Sequence, residues 1–245
     1  MKKLAALLLF AGALPAAAST PFPSSKDCPI CLNTIWYNVE MSASVFDSGM
    51  DFKPLGAVIA PPPLPVCGEC GFVAATSSAT SKELAAGRET VTSEEYRALA
   101  GRASYYKLAW LAQKLDGSSK AEVWGYYLRA SWQEETDPAK MTEDLRLALE
   151  GLEELIAGKD DNDEHWPRRQ YLRAELLRRL SRFSEARRVL DSLSKKQLRA
   201  DPSLKEFVKY QRVLCRKLDP APRSLGEMKE RGLLPWLKNH LPWPF

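Results

Sequence analysis

The chain has 245 residues, 45% hydrophobic, 27% charged and 9% aromatic, with a formal net charge of +4 from 35 basic and 31 acidic residues. That composition is globular and excludes a collagen-like chain, a low-complexity disordered chain and a multi-span membrane protein. The length suffices for one large domain or two small ones, and the charge is too balanced to argue for nucleic acid.

The first eighteen residues read as an export signal. Met1-Lys2-Lys3 is cationic, Leu4 to Ala13 is apolar, Pro15 breaks the run, and Ala16-Ala17-Ala18 offers small residues for cleavage after about Ala18. The apolar run is short for a bilayer span, and no later segment is long and apolar enough for one. The expected mature protein is therefore periplasmic or secreted, with no stable membrane span. Loss of Lys2 and Lys3 leaves 33 basic against 31 acidic residues, a net charge of +2.

Four of the five cysteines fall into two pairs, Cys28-Pro-Ile-Cys31 and Cys67-Gly-Glu-Cys70, with 35 residues between Cys31 and Cys67. A two-residue gap lets the chain turn back in a knuckle, so that two thiolates face one centre. Two knuckles supply a tetrahedral sulfur site suited to Zn²⁺. Pro29 stiffens the first turn, Gly68 and Gly71 ease the second, and Leu32 fits the first less well than a small residue would. The spacing exceeds that of a compact zinc ribbon, so the insert must loop out. Within it, Asn33 to Val39 reads as a strand and Pro61 to Pro65 as a stiff approach to the second knuckle. An exported protein also allows structural disulfides between or within the pairs, or a redox-active CxxC. Four thiolates on one zinc would leave no open position, which makes the zinc reading structural rather than catalytic.

From about residue 80 the pattern becomes helical. Thr92-x-x-Glu95 and Ser119-x-x-Glu122 resemble capping boxes, and Asp137-Pro138 and Asp201-Pro202 place an N-cap before a first-turn proline. Apolar stripes follow at Tyr105, Leu108, Ala109 and Ala112; at Ala121, Trp124, Leu128 and Trp132; and at Leu145, Ala148, Leu149, Leu152, Leu155 and Ile156. Gly117 and Gly158 are placed to end helices. The spacing predicts about six or seven helices. Tyr171 to Leu193 resembles one tetratricopeptide-like helix pair, with Ala174 and Ala186 at a close approach and Ser181 at the turn. Cys215 lies in the stripe Leu204, Phe207, Val208, Gln211, Leu214, Cys215, Leu218 and reads as a core thiol.

The order of these parts resembles an uncharacterised bacterial family with two CxxC pairs followed by tetratricopeptide-like helices. The resemblance rests on Cys28-Pro-Ile-Cys31, Asp51-Phe-Lys-Pro-Leu-Gly56 and Pro65-Val-Cys-Gly-Glu-Cys-Gly-Phe-Val73. Leu108-Ala-Trp-Leu111 and Tyr171 to Leu180 extend it, to cover about residues 26–218. It implies Cys28, Cys31, Cys67 and Cys70 as metal ligands and implies no activity.

Other patterns carry less. The acidic run before His165 lacks the glycine and terminal glutamate of a calcium loop and reads as a solvated helix start; His240 has no ligand pattern around it. No HExxH, GxSxG, phosphate-binding or dinucleotide motif occurs. Arg168, Arg169, Arg173, Arg178, Arg179, Arg182, Arg187 and Arg188 form either a docking face for an acidic partner or anionic glycan, or a solvated helix surface paired with Glu175, Glu185 and neighbouring acids. The tail from Leu233, with Trp236 and Trp243, either caps the last helices or anchors a partner.

The fold expected is mainly α: a signal peptide over 1–18, a zinc-ribbon-like β module over 19–80, a tetratricopeptide-like helical domain over 81–220, and a Pro/Trp-rich tail over 221–245. The leading expectation of function is an exported, non-enzymatic, zinc-stabilised module that binds an unidentified protein or peptide and no nucleic acid. The alternatives are a thiol–disulfide protein using Cys67 and Cys70 and a binder of anionic envelope polymer.

Overall fold

The computed structural model describes residues 21–40, 44–56, 61–75, 81–157 and 163–230. The export signal, Gly158, His240, Trp236 and Trp243 lie outside them. The described chain is mainly helical, with small antiparallel β pairs toward its N-terminus.

β1 (Pro21–Asp27) pairs in register with β2 (Thr34–Glu40), Asp27 opposite Thr34, and the first knuckle forms the turn between them. The strand expected over Asn33 to Val39 is thus β2, where β-branched and aromatic residues suit a pleated ribbon. β3 (Val45–Ser48) and β4 (Pro54–Gly56) form a second hairpin inside the long insert. A bridge between Val66 and Val73 flanks the second knuckle.

Ten helices follow among the described residues, more than the spacing predicts, because three are too short for a stripe to reveal. They are α1 (Ser81–Thr92), α2 (Glu94–Arg97), α3 (Ser104–Leu115), α4 (Lys120–Gln133), α5 (Pro138–Ala157), α6 (Trp166–Arg179), α7 (Phe183–Ser192), α8 (Lys195–Ala200), α9 (Pro202–Arg216) and α10 (Leu225–Glu230). The Ser119–Glu122 capping box forms, as do the caps by Asp137 and Asp201. The expected Thr92 box does not form. Thr92 closes α1 by donating to the Arg88 and Glu89 carbonyls, and Ser93 instead accepts from the Tyr96 N–H at 3.2 Å. A hydroxyl one residue closer to the α2 turn wins that bond.

Neighbours in sequence pack as neighbours in space, from α3 on α4 through to α6 on α7, and α9 returns to α6 and α7. The Tyr171–Leu193 segment forms the helix pair α6–α7. Ala174 and Ala186 are fully buried in it, and Ser181 takes the left-handed turn at φ 60°. On α5 the stripe Leu145, Ala148, Leu149 and Leu152 is buried as its spacing predicts. On α4 the buried line runs through Val123, Tyr127, Leu128 and Ala130, leaving Trp124 and Trp132 half-buried, a rotation from the predicted stripe. Where α4 meets α5, a Cβ on Gly151 would run into the Lys120 carbonyl and lie 2.8 Å from the Trp124 Cβ, so the two helices approach closely there. Leu218, predicted to end the α9 stripe, falls past the helix at φ 53° and is exposed.

Two apolar clusters result. The larger fills the helical body from α3 to α10. The smaller joins both knuckles to α1, α2 and one side of α3 through Ile30, Ile35, Val73, Ala74, Val91, Tyr96 and Leu111. α3 serves both, giving Tyr106 and Ala109 to the first and Leu111 to the second. The β3–β4 hairpin belongs with the helical body, where its tip residue Met50 is buried. The insert that the cysteine spacing forces to loop out therefore lands on the helices. The 221–245 stretch begins with Leu225 of α10 in the same core.

Candidate metal centre

The two knuckles have one backbone design. In the first, the Leu32 N–H donates to the Cys28 carbonyl at 2.9 Å and the Cys28 N–H to the Asn33 carbonyl at 2.8 Å. In the second, the Gly71 N–H donates to the Cys67 carbonyl and the Cys67 N–H to the Phe72 carbonyl, both at 2.9 Å. The residue after each CxxC takes the left-handed conformation, Leu32 at φ 63° and Gly71 at φ 73°. Gly71 reaches it without penalty. Leu32 pays for the absence of a small residue in strain, and its side chain projects into solvent.

The knuckles bring Cys28, Cys31, Cys67 and Cys70 together. All four Sγ atoms lie within 4.8 Å of one another, and the contacts across the knuckles are 3.6 Å for Cys28–Cys70 and 3.5 Å for Cys31–Cys67. A tetrahedron of sulfurs about 2.3 Å from a central zinc has edges of about 3.8 Å, so the donor set matches a metal ion in size. At these separations no sulfur is bonded to another. Cys28 and Cys67 are buried and Cys31 and Cys70 half-buried, which leaves the site closed beneath and open at one rim.

The surroundings hold this geometry. Ile30, between the first two cysteines, packs so tightly on α1 that a Cβ on Gly87 would lie 2.6 Å from its Cδ1. Arg88 of the same helix donates to the Ile30 carbonyl at 3.1 Å, and Lys26 donates to the Ala74 carbonyl. These two cations sit on the backbone beside a centre that four thiolates and a divalent ion would leave negative. Tyr96 of α2 donates to the Gly71 carbonyl at 2.7 Å and packs its ring on Trp110 of α3, 5.6 Å between centroids. The helical body thus grips the second knuckle through a buried phenol whose pKa is raised, chiefly by desolvation.

The thiols are not equivalent. The Asn33 backbone N–H aimed at Cys31 lowers its pKa to about 7, and the Asn33 side-chain amide lies 3.5 Å from the same sulfur. Burial pushes the Cys28 and Cys70 thiols up. A metal at the centre of the four would favour the thiolate form of all of them. Cys215 is separate, buried in α9, with burial raising its pKa.

Sequence reasoning found the four sulfurs and missed their supports. Lys26, Arg88 and Tyr96 carry no motif and reach the knuckles only through the packing of β1, α1 and α2 around them. It also missed three buried charge clusters in the helical body. Arg178 pairs with Glu175 at 2.5 Å, Arg179 with Asp51 at 2.6 Å, and Arg102 with Glu134, Glu143 and Asp144. Of the eight arginines in the basic stretch, Arg178 and Arg179 are buried; Arg168, Arg169, Arg173 and Arg182 pair with Asp201, Asp163, Glu153 and Glu185. His165 is exposed beside Glu164 at the start of α6.

Comparison of the chain with models of known protein families, with curated proteins and with solved structures finds no match.

Proposed function

We propose that the protein is an exported, non-enzymatic interaction or assembly module whose N-terminal part is fixed by one structural Zn²⁺ on Cys28, Cys31, Cys67 and Cys70. The observation that carries this reading is the convergence of four sulfurs from two knuckles of the same hydrogen-bond design. Four soft donors at tetrahedral spacing suit zinc, and they fill its coordination shell, leaving no position for substrate or water. The metal's work here is folding energy: it joins two short β pieces that have little core of their own. Export rests on residues 1–18, and kinship with the two-knuckle family on the order of knuckles and helices. The stacked helices, read as tetratricopeptide-like, would supply grooves for a protein or peptide partner.

Metal analysis of the untagged mature chain tests the reading. One zinc per chain is expected, with four thiols becoming titratable only after chelation. A metal-free chain with four oxidised cysteines would overturn it in favour of the thiol–disulfide alternative. Binding of an anionic polymer is the weaker alternative, because six of the eight arginines in the basic stretch already serve ion pairs within the protein.

A further inference from the structure

The β3–β4 hairpin is held by the helical body more firmly than a surface loop needs. Tyr171, fully buried on α6, donates its hydroxyl to the Met50 carbonyl at 3.0 Å, and the Met50 N–H donates to the Arg223 carbonyl at 2.8 Å. Asp51 is buried and accepts from Arg179 at 2.6 Å and from the Trp132 indole at 2.9 Å. Phe52 is held at φ 66° with its ring 5.6 Å from that of Tyr171. Lys53 pairs with Glu135 at 2.5 Å, and Asp47 accepts from the Gly226 N–H at 2.9 Å. A two-stranded hairpin is marginal alone in water, so this one depends on its dock.

The same hairpin lies inside the loop that the cysteine centre closes. Val45 follows Cys31 by 14 positions, and Gly56 precedes Cys67 by 11. Pinning both ends of a segment lowers the entropy it loses on docking, and a docked segment holds the two knuckles within reach of one ion. Linkage makes that help reciprocal.

Building on the metal reading, we propose that metal binding at the four cysteines and docking of residues 45–56 on the helical body are thermodynamically coupled. The hairpin is then a strap that the metal locks. Loss of metal loosens it over a socket formed by Trp132, Tyr171 and Arg179, so metal occupancy sets whether that face of the helical body is closed.

The test titrates Zn²⁺ against a competing chelator in the full mature chain and in its D51N, Y171F and L190A variants. D51N and Y171F weaken the dock away from the knuckles, Asp51 lying 16 residues in sequence from Cys67 and Tyr171 beyond the insert altogether, while Leu190 is a fully buried residue of α7 that makes none of these hairpin contacts. Zinc affinity falls at least fivefold in D51N and Y171F and stays within twofold of wild type in L190A. In the wild type, chelation speeds amide hydrogen exchange across 45–56. Y171F removes one hydroxyl and remains informative if D51N fails to fold. A wild type that binds zinc but shows equal affinity in Y171F, or unchanged exchange across 45–56, overturns the coupling alone. Equal weakening in L190A also overturns it, since the effect would then be global. A wild type that takes up no zinc overturns the metal reading and the coupling with it.

Discussion

Arg178 is among the largest fully buried side chains of the described residues, and replacing it by methionine tests how the helical body is closed. Its guanidinium donates to both Glu175 oxygens, at 2.5 and 2.8 Å, and to the carbonyls of Asp219 and Ala221, at 2.5 and 2.9 Å. It therefore neutralises a buried carboxylate and ties down the chain as it leaves α9. Removing one partner of a buried pair costs about 3–5 kcal/mol. The two carbonyls it abandons add to that unless water reaches them. Against a total stability of about 5–15 kcal/mol, R178M should lose about 4 kcal/mol, or about 1.5 M in urea midpoint at an m near 2.5 kcal/mol/M. The loss should depend on pH in a defined sense. Burial already raises the Glu175 pKa, and Arg178 is the main group that pulls it down, ahead of Arg179. Without Arg178 it rises further. A carboxyl whose folded pKa lies above its unfolded value contributes stability that is present at low pH and lost as pH rises through the folded pKa. The gap between R178M and wild type should therefore narrow between pH 8 and pH 5, measured by urea titrations followed by far-UV circular dichroism. Adding E175Q should recover part of the loss, since the double variant buries no unpaired charge. A cost under 1 kcal/mol, or a gap that does not change with pH, would refute the reasoning.

Three further perturbations probe other parts of the molecule. G151A should cost about 2–3 kcal/mol in chemical denaturation, because its methyl group would meet the Lys120 carbonyl and Trp124 where α4 and α5 touch; a neutral outcome would mean the two helices separate freely. Burial, followed by the neighbouring Glu134, pushes the Asp144 pKa up to about 9. Its contribution is fully present below the ordinary carboxyl pKa and is lost progressively as pH rises to about 9, so D144N should flatten the decline in thermal stability between about pH 5 and pH 9 relative to wild type. L32G should stabilise the metal-loaded protein by about 0.5–1 kcal/mol, because it relieves a left-handed leucine whose side chain is exposed and packs on little; a loss of stability would show that Leu32 makes a contact worth more than its strain.

The legible part of the site was the part set by local chain geometry. A CxxC spacing lets the chain turn back on itself, so Cys28 with Cys31, and Cys67 with Cys70, were readable as pairs from sequence alone. That the two pairs meet depends on a third party, the α1–α3 platform with Ile30, Tyr96 and Leu111 packed between. No motif marks Tyr96 or Arg88, because a hydrogen bond to a backbone carbonyl can be made by any donor that packing brings near.

The helical body divides in the same way. Periodicity located the α5 stripe and the α6–α7 pair, since a helix carries its burial pattern in every turn. It caught Leu128 of α4 but not the fuller burial of Val123, Tyr127 and Ala130, because α4 packs on both α3 and α5 and its buried face is a property of several helices and not of one. The arginine stretch shows the same limit. Sequence recorded eight positive charges, and only the tertiary structure decided that Arg178 and Arg179 lie inside, where Glu175 and Asp51 offset the cost of burying them. Asp51 reaches Arg179 from 128 residues away in the chain, inside an insert that sequence could place only as a loop. Local spacing determined the knuckles, the caps and most helices. Long-range burial decided which charges are structural and where the insert lands, because the free energy of those choices lies in contacts between segments distant in sequence.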